Sequence, residues 1–369
     1  MRIALKIGSN ILADERGLNS RRMGSIASCA ARLMSDGHEV ILISSGAVAA
    51  GTRKMGLKKR PVEVKLKQAA AAVGQSSLMW AYERSFKKHS IKVAQILLTR
   101  EGLSNRQMHI NAKNTILTLL AHSIVPIVNE NDTVATDEIK FGDNDQLAAL
   151  VSSCAEADRL VILSDVDGLF DKDPKRYRDA AIIHCVDKVD DGVLCLADKC
   201  MSSFGSGGMK SKLMAAQKAT RSGITVNIIN GKRPSLVLSL LEGKPVGTEF
   251  KADISPLSSR KSWIAHGSRS KGTLTLDAGA VKALEKGNKS LLPSGIASVK
   301  GPFKVGDSVK CTDPSGNIMA KGITNYSSED LVRIIGRKTS EIEGILGYKY
   351  SDEVIHRDNL VIMATAEEV

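Results

Sequence analysis

The sequence is poor in several things, and each shortage removes a class of protein. No apolar run approaches the ~20 residues of a membrane-spanning helix. The start, Met1-Arg2 followed by Ile3-Ala4-Leu5, is too short an apolar stretch for a secretory leader, so a cytoplasmic protein is expected. The six cysteines (Cys29, Cys154, Cys185, Cys195, Cys200, Cys311) include no C-x-x-C pair and no neighbouring histidine pattern. A zinc site or a disulfide framework is therefore not expected, and reduced structural thiols are. The seven histidines (His38, His89, His109, His122, His184, His266, His356) all fall outside the polar clusters described below. A serine–histidine–aspartate arrangement is thereby excluded. What remains is an ordinary globular composition, 43% hydrophobic and 25% charged. At 369 residues the chain exceeds a typical single core, which implies two domains.

Charge is present in excess. Lysine and arginine number 52 against 40 acidic residues, a net +12. Residues 255–369 hold 16 basic and 13 acidic side chains, so most of the excess is spread through the first two thirds. A diffuse basic background suits a site that attracts anionic substrates at least as well as it suits nucleic acid. Aromatic residues are only 4% of the chain. The few near the C-terminus (Trp263, Phe303, Tyr326, Tyr348, Tyr350) make a weak footprint for nucleic acid.

The most informative stretch is Val125 to Leu147. A buried strand (Val125, Ile127, Val128) gives way to a polar turn, Asn129-Glu130-Asn131-Asp132, and ten residues later comes Gly142-Asp143-Asn144-Asp145, opening an apolar helix. Helix capping accounts for one such residue, not for two clusters of carboxylates and amides. Clusters at a strand end and a helix start are where an open α/β sheet builds a small-molecule site.

Earlier in the chain, Ile3 to Ile7 reads as a first strand ending in Lys6-Ile7-Gly8-Ser9-Asn10, a glycine turn able to approach a phosphate beside a lysine. A second strand runs into Ser44-Ser45-Gly46-Ala47, whose hydroxyls and free N–H groups suit an anion; close packing through small residues explains that segment equally well. Ser164-Asp165-Val166-Asp167-Gly168 follows a strand at Arg159 to Leu163. It resembles a calcium loop only superficially, since its glycine comes too early and no glutamate closes it. Ser206-Gly207-Gly208-Met209-Lys210-Ser211-Lys212 lacks P-loop spacing but places backbone donors and a lysine ahead of an expected helix, Leu213 to Arg221.

Strands alternate with helices to about Leu241, predicting a mostly parallel sheet with helices on both faces. The expected partition is residues 1–250 as this α/β domain, 251–270 as a polar linker, and 271–369 as a small β domain with a C-terminal tail. Two lysines on glycine turns, a serine–glycine helix start, and aspartates with asparagines fit phosphoryl transfer to a carboxylate. That nucleophile, with a pKa near ~4, is already ionised at neutral pH and needs no base.

In order along the chain, KIGSN, ISSGAVAAG, QILLTR, VPIVNENDTVATDEIKFGDNDQLAAL, LSDVDGLFDKDP, GSGGMKSK and VGTEF resemble the amino acid kinase family, and in particular its glutamate-phosphorylating branch. LLPSGIASVKGPFKVGDSV and GITNYSSEDL resemble the PUA domain that bacterial members carry. The resemblance implies an αβα sandwich around a mostly parallel sheet, the amino acid kinase fold, followed by a β-rich PUA domain. It implies transfer from ATP, with Mg²⁺ arriving on the nucleotide, to the γ-carboxylate of L-glutamate, the first step of proline biosynthesis. Feedback inhibition by proline and a homo-oligomer, dimer or tetramer, come with it.

Matched residue by residue, the resemblance implies Lys6 and Lys212 on the transferring phosphate, with Asp145 orienting them. It implies Ser45, Asp132 and Asn144 on glutamate, with Asn129 and Asp143 beside them. Charge logic assigns Asp132 to the substrate ammonium and the Ser45-Gly46 helix start to one of its carboxylates. The ATP site would be lined by Lys6, Ser164, Asp165, Ser206, Gly207, Gly208, Met209, Lys210, Ser211 and Lys212. Serine stands at Ser44, Ser164 and Ser206 where threonine is common, and Lys210 is an extra lysine that stands beside Lys212 as a candidate for the same role. Two other readings exist. RNA binding as the main function is weighed down by the weak footprint above. A different substrate on the same fold (aspartate, acetylglutamate, carbamate or UMP) is disfavoured by the NEND block and the PUA-like tail, since substrate choice resides in the site.

Overall fold

Strands that are apolar on both faces can be buried only where helices cover both sides of their sheet. The computed structural model, which describes residues 1–14, 17–135, 144–174, 176–199, 208–253, 261, 264, 270–285 and 289–363, has that arrangement. Its main sheet contains β1 (Arg2–Ile7), β2 (Glu39–Ile43), β3 (Val93–Leu98), β4 (Val125–Glu130), β5 (Arg159–Ser164), β6 (Cys185–Val186), β7 (Thr225–Asn230) and β8 (Thr248–Phe250). Their order is β6-β8-β7-β5-β1-β2-β4-β3. Every neighbouring pair is parallel except β7 with β8. The chain builds β2, β3 and β4 on one side of β1 and then crosses to place β5 on the other. Such a switch point leaves a crevice at the carboxyl ends of the strands.

Helices α1 (Ser20–Ser35), α2 (Ala47–Lys54), α3 (Val64–Lys87), α4 (Arg106–Ala121), α5 (Asp145–Cys154), α6 (Met209–Arg221) and α7 (Leu236–Leu241) cover the sheet. Successive strand residues face opposite layers. Ile3, Leu5, Ile7, Val40 and Leu42 join the core under α1, α3 and α7, whereas Ala4, Ile41, Ile43, Leu160 and Ile162 join the core under α4, α5 and α6. The same parity assigns Lys6 and Ser164 to the α5–α6 layer and Asn129 to the α3 layer. α2 and α3 cross with their backbones touching. A Cβ on Gly51 would lie 1.6 Å from the Ala70 carbonyl oxygen, and one on Gly74 would lie 1.9 Å from that of Ala47. Only glycine fits at either position.

Two local expectations are corrected. β4 continues through Asn129 and Glu130, paired in register with Leu97 and Leu98, so the polar turn begins at Asn131. The parallel ladder satisfies both backbones and holds both side chains in buried positions. α6 begins at Met209 and not at Leu213, because Gly208 already supplies the extended residue before the helix. Met209, Lys210, Ser211 and Lys212 therefore form its first turn.

The chain divides into two compact units, Met1–Pro256 and Leu257–Val369. The second contains β9 (Gly272–Leu276), β10 (Ile296–Lys300), β11 (Ser308–Thr312), β12 (Ile318–Ile323) and β13 (Leu360–Ile362), in the order β10-β9-β11-β12-β13. It also holds helices α8 (Ala278–Glu285), α9 (Ser328–Ile334) and α10 (Ile342–Leu346), around a core of Leu274, Leu276, Val309, Tyr326 and Ile355. Leu360 is buried in that core and anchors the edge strand β13. Among the described residues, no helix is long and apolar enough to cross a membrane.

Candidate active site

Three charged side chains meet at the carboxyl end of β1. Lys6 projects from the strand's penultimate position, Asp145 is the first residue of α5, and Lys212 sits in the first turn of α6; they are 3%, 0% and 7% exposed. One oxygen of Asp145 takes the Lys6 ammonium and the other takes that of Lys212 at 3.2 Å. Burying three ions is costly unless they compensate one another. Here one carboxylate holds two ammonium groups, so the cluster keeps a surplus positive charge. Lys210, two residues earlier, is exposed.

Two strands away, on the face of β4 toward α3, the buried polar groups are neutral. Asn144 occupies the position before α5 but does not cap it. Its Nδ2 donates instead to the Ser44 carbonyl at 2.5 Å and to Asn129 Oδ1 at 2.8 Å. The backbone N–H of Glu130 donates to the same Asn129 oxygen at 2.9 Å. That fixes the orientation of the Asn129 amide, whose Nδ2 then donates to Gln75 Oε1 on α3 at 2.8 Å. The result is a relay of amides from α3 through β4 to the start of α5.

Ser44 links this relay to the next loop. Its N–H donates to the Val128 carbonyl at 2.8 Å, and its Oγ donates to the Ser45 carbonyl at 3.0 Å and lies 2.9 Å from the Tyr82 hydroxyl. The half-buried Ser45 is followed by Gly46, which turns into α2 at φ +106 with no side-chain cap on the helix. Uncapped N–H groups there are free to meet an anion. Asp132 lies in the turn after β4. Burial pushes its carboxyl up to about 6, against the opposing pull of the Arg60 guanidinium.

On the other side of β1, Ser164 ends β5 in a buried position and the Asp165 carboxylate lies at the surface. Asn10 Nδ2 donates to Asp165 Oδ2 at 3.2 Å, and Ser164 Oγ donates to Oδ1 at 3.3 Å. Partial burial pushes the Asp165 pKa upward, but the Asn10 amide, its own backbone N–H, the Lys212 charge and Ser164 outweigh that and hold it below the usual carboxylate value. Gly208 opens α6 with no side-chain cap, Met209 packs its side chain on the core, and Ser211 accepts from Gln146 Nε2 at 3.5 Å. Asp143, Ser206 and Gly207, expected at the site, lie outside the described residues.

Lys6, Asp145 and Lys212 thus form one cluster, Asn129 and Asn144 a second joined through Ser44 to Ser45, and Ser164 with Asp165 a third. Asn10, Ser44, Gln75 and Tyr82 take part without having been assigned roles from sequence. Asn10 and Ser44 stand inside quoted motifs, and Gln75 follows a glycine in an alanine-rich helix that also carries Gln68.

A family model described as the amino acid kinase family matches residues 1–230, and a PUA domain model matches residues 272–346. The chain is 48% identical to the glutamate 5-kinase of Geobacter sulfurreducens over 363 residues, covering 98% of this chain and 97% of that one. Against the glutamate 5-kinase of Caldanaerobacter subterraneus subsp. tengcongensis the identity is 47% over 369 residues, covering 100% and 99%. Against that of Syntrophotalea carbinolica it is 46% over 361 residues, covering 98% and 97%.

Proposed function

Because the chain belongs to the amino acid kinase family, among its glutamate 5-kinases, we propose that it transfers the γ-phosphoryl group of ATP to the side-chain carboxylate of L-glutamate through the residues gathered at the end of β1. The observation that carries this assignment is the Lys6–Asp145–Lys212 cluster at the switch point of the sheet. Phosphoryl transfer needs little covalent help from a protein. It needs the reactants aligned and the charge on the equatorial oxygens offset. Lys6 and Lys212 hold the transferring group from two sides, and Asp145 keeps both ammonium groups in place without cancelling them.

A γ-carboxylate oxygen of glutamate forms the new P–O bond as the bond to the β-phosphate oxygen breaks. ADP departs with that electron pair, and no proton moves at the nucleophile. The product is an acyl phosphate, L-glutamate 5-phosphate, which commits glutamate to proline biosynthesis.

The rest of the crevice divides between the two substrates. Ser164, Asp165 and the start of α6, from Ser206 and Gly207 through Gly208, Met209, Lys210 and Ser211, take the nucleotide. Mg²⁺ would enter on the nucleotide. When bound, that ion neutralises phosphate oxygens. Asp132 receives the α-ammonium of glutamate, Ser45 and the uncapped start of α2 receive a carboxylate, and Asn129, Asn144 and Asp143 shape the pocket. Proline feedback, a homo-oligomeric state and a cytoplasmic location belong to the same reading.

The test is hydroxylamine trapping of the product, with ATP and a panel of acids. L-Glutamate should give a hydroxamate in step with ADP release. A preference for aspartate, acetylglutamate or carbamate would overturn the substrate.

A further inference from the structure

Among the described residues, the buried amide nitrogen of Gln75 has no hydrogen-bond partner. Its orientation is not arbitrary. The Glu130 N–H and the Asn144 amide both need the oxygen of Asn129, so Asn129 presents its nitrogen to Gln75. Gln75 must answer with oxygen, and its own nitrogen is turned away from the relay. A buried donor left unmade loses the hydrogen bond that water would have given it, so such a group calls for an acceptor. Its surroundings narrow the choice. Gly74, the residue before it, lies against the first turn of α2, 1.9 Å from the Ala47 oxygen when given a Cβ. Gln75 therefore stands between the Ser45-Gly46 helix start and the end of β4.

Strand order then tells which end of the substrate lies there. Neighbouring strands are roughly 4.8 Å apart, and β1 and β4 are separated by one strand, β2. If the γ-carboxylate is attacked beside Lys6 on β1, the backbone end of the amino acid extends along the crevice toward β4. Asp132 there suits the ammonium, and an unmatched N–H donor suits the carboxylate.

We infer that Gln75 is a specificity-determining residue that donates its side-chain N–H to the α-carboxylate of glutamate, completing a relay in which Asn129 fixes its orientation. This rests on the assignment of glutamate as acceptor. It gives α3 a direct part in substrate choice, and the Gly51–Gly74 crossing is what brings that helix close enough.

The test reverses the polarity of one hydrogen bond. Gln75→Glu keeps an oxygen for Asn129 and replaces the donor with an anionic acceptor. Its KM for L-glutamate should rise tenfold or more, with kcat and the KM for ATP within about threefold of wild type. Its preference for glutamate over L-isoglutamine, the α-amide, should fall by at least tenfold, since an amide can donate to the new carboxylate. A residue that merely supports Asn129 would not change that preference, and an unchanged preference in a folded variant overturns the inference. Should Gln75→Glu melt below the assay temperature, Gln75→Leu enters the same titrations. There, equal losses on both compounds overturn it, and a loss confined to glutamate supports it. A wild-type protein that forms no trappable product from glutamate would instead sink the underlying substrate assignment.

Discussion

The two ends of the crevice solve recognition in opposite ways. At β1 the protein buries full charges, Lys6, Asp145 and Lys212, with two cations on one anion. On the face of β4 toward α3 it gathers neutral amides, the buried Asn129 and Asn144 and the half-buried Gln75, with the Glu130 carboxylate buried on the opposite face, and leaves the nearby carboxylate of Asp132 half-buried in a turn. On the proposed assignment of the site, the difference follows from what each end must do. Charge on a transferring phosphoryl group has to be offset as the reaction proceeds, and preset ammonium groups do so without reorganising. An amino acid's backbone end carries both signs and does not change during transfer. Amides can meet it with either a donor or an acceptor, at far smaller desolvation cost.

The sharpest way to break this contrast is at the charged end. Lys212→Ala should lower kcat by about 10³-fold while the KM for glutamate changes by less than about threefold, because the lost interaction belongs to the transition state. Asp145→Asn should be comparably slow and also less stable by roughly 3–5 kcal/mol, since two buried ammonium groups lose their shared partner. Steady-state kinetics and denaturant unfolding measure the two effects. A rise in glutamate KM matching the fall in kcat would mean the two ends are not separate.

The next effect joins the ends through the scaffold. Gly74→Ala forces a methyl group into the Ala47 carbonyl at 1.9 Å and the Gly51 nitrogen at 2.4 Å, so α3 must back away from α2. A loss of about 3 kcal/mol is expected. If Gln75 acts as inferred, the folded remainder should show a raised KM for glutamate with ATP binding little altered.

This crossing also marks where sequence reading stops. Apolar runs such as Ile3 to Ile7 and Val93 to Leu98 announce their strands, and the polar residues after them announce a site at the strand ends. Lys6, Asp145 and Lys212 could be nominated from local chemistry, but not their meeting, which depends on β1 lying beside β5 and beneath α5 and α6. Asn129 and Glu130 read as a turn because polar pairs seldom end a buried strand. They stay in β4 because Gln75 and Asn144 satisfy the Asn129 amide from elements 54 and 15 residues away in sequence. Asn144 reads as a helix cap, and its position is that of one, yet its side chain is used across the sheet. No local pattern reveals a contact whose partner depends on a helix crossing.

A pH profile probes the amide end more gently. With its carboxyl pushed up to about 6 by burial, Asp132 loses its charge as pH falls from 7 to 5. The glutamate ammonium keeps its own charge throughout that range. The KM for glutamate should therefore rise several-fold across the interval, and Asp132→Asn should be high and flat. Stability runs the other way. The folded protein holds this proton more tightly than the unfolded chain does, so the group disfavours folding increasingly between about pH 4 and pH 6. Asp132→Asn should raise the melting temperature at pH 7 and leave it unchanged at pH 4.

The smallest expected effect separates the hydroxyls from the amides. Tyr82 is fully buried, and its OH lies 2.9 Å from Ser44 Oγ. Since that serine already donates to the Ser45 carbonyl, the tyrosine must be the donor. Tyr82→Phe fills the same space and leaves no cavity, so about 1 kcal/mol should be lost with the hydrogen bond. The Asn144 amide is bonded to the Ser44 backbone carbonyl and not to its hydroxyl, and that carbonyl is positioned by the strand ladder through Val128. The melting temperature should accordingly drop by a few degrees, about 2–4 °C, while the KM values for glutamate and ATP stay within twofold. A several-fold change in glutamate KM would show that the hydroxyl pair and the amide relay act as one network, and that the neutral end of the crevice reaches back to the core beneath α3.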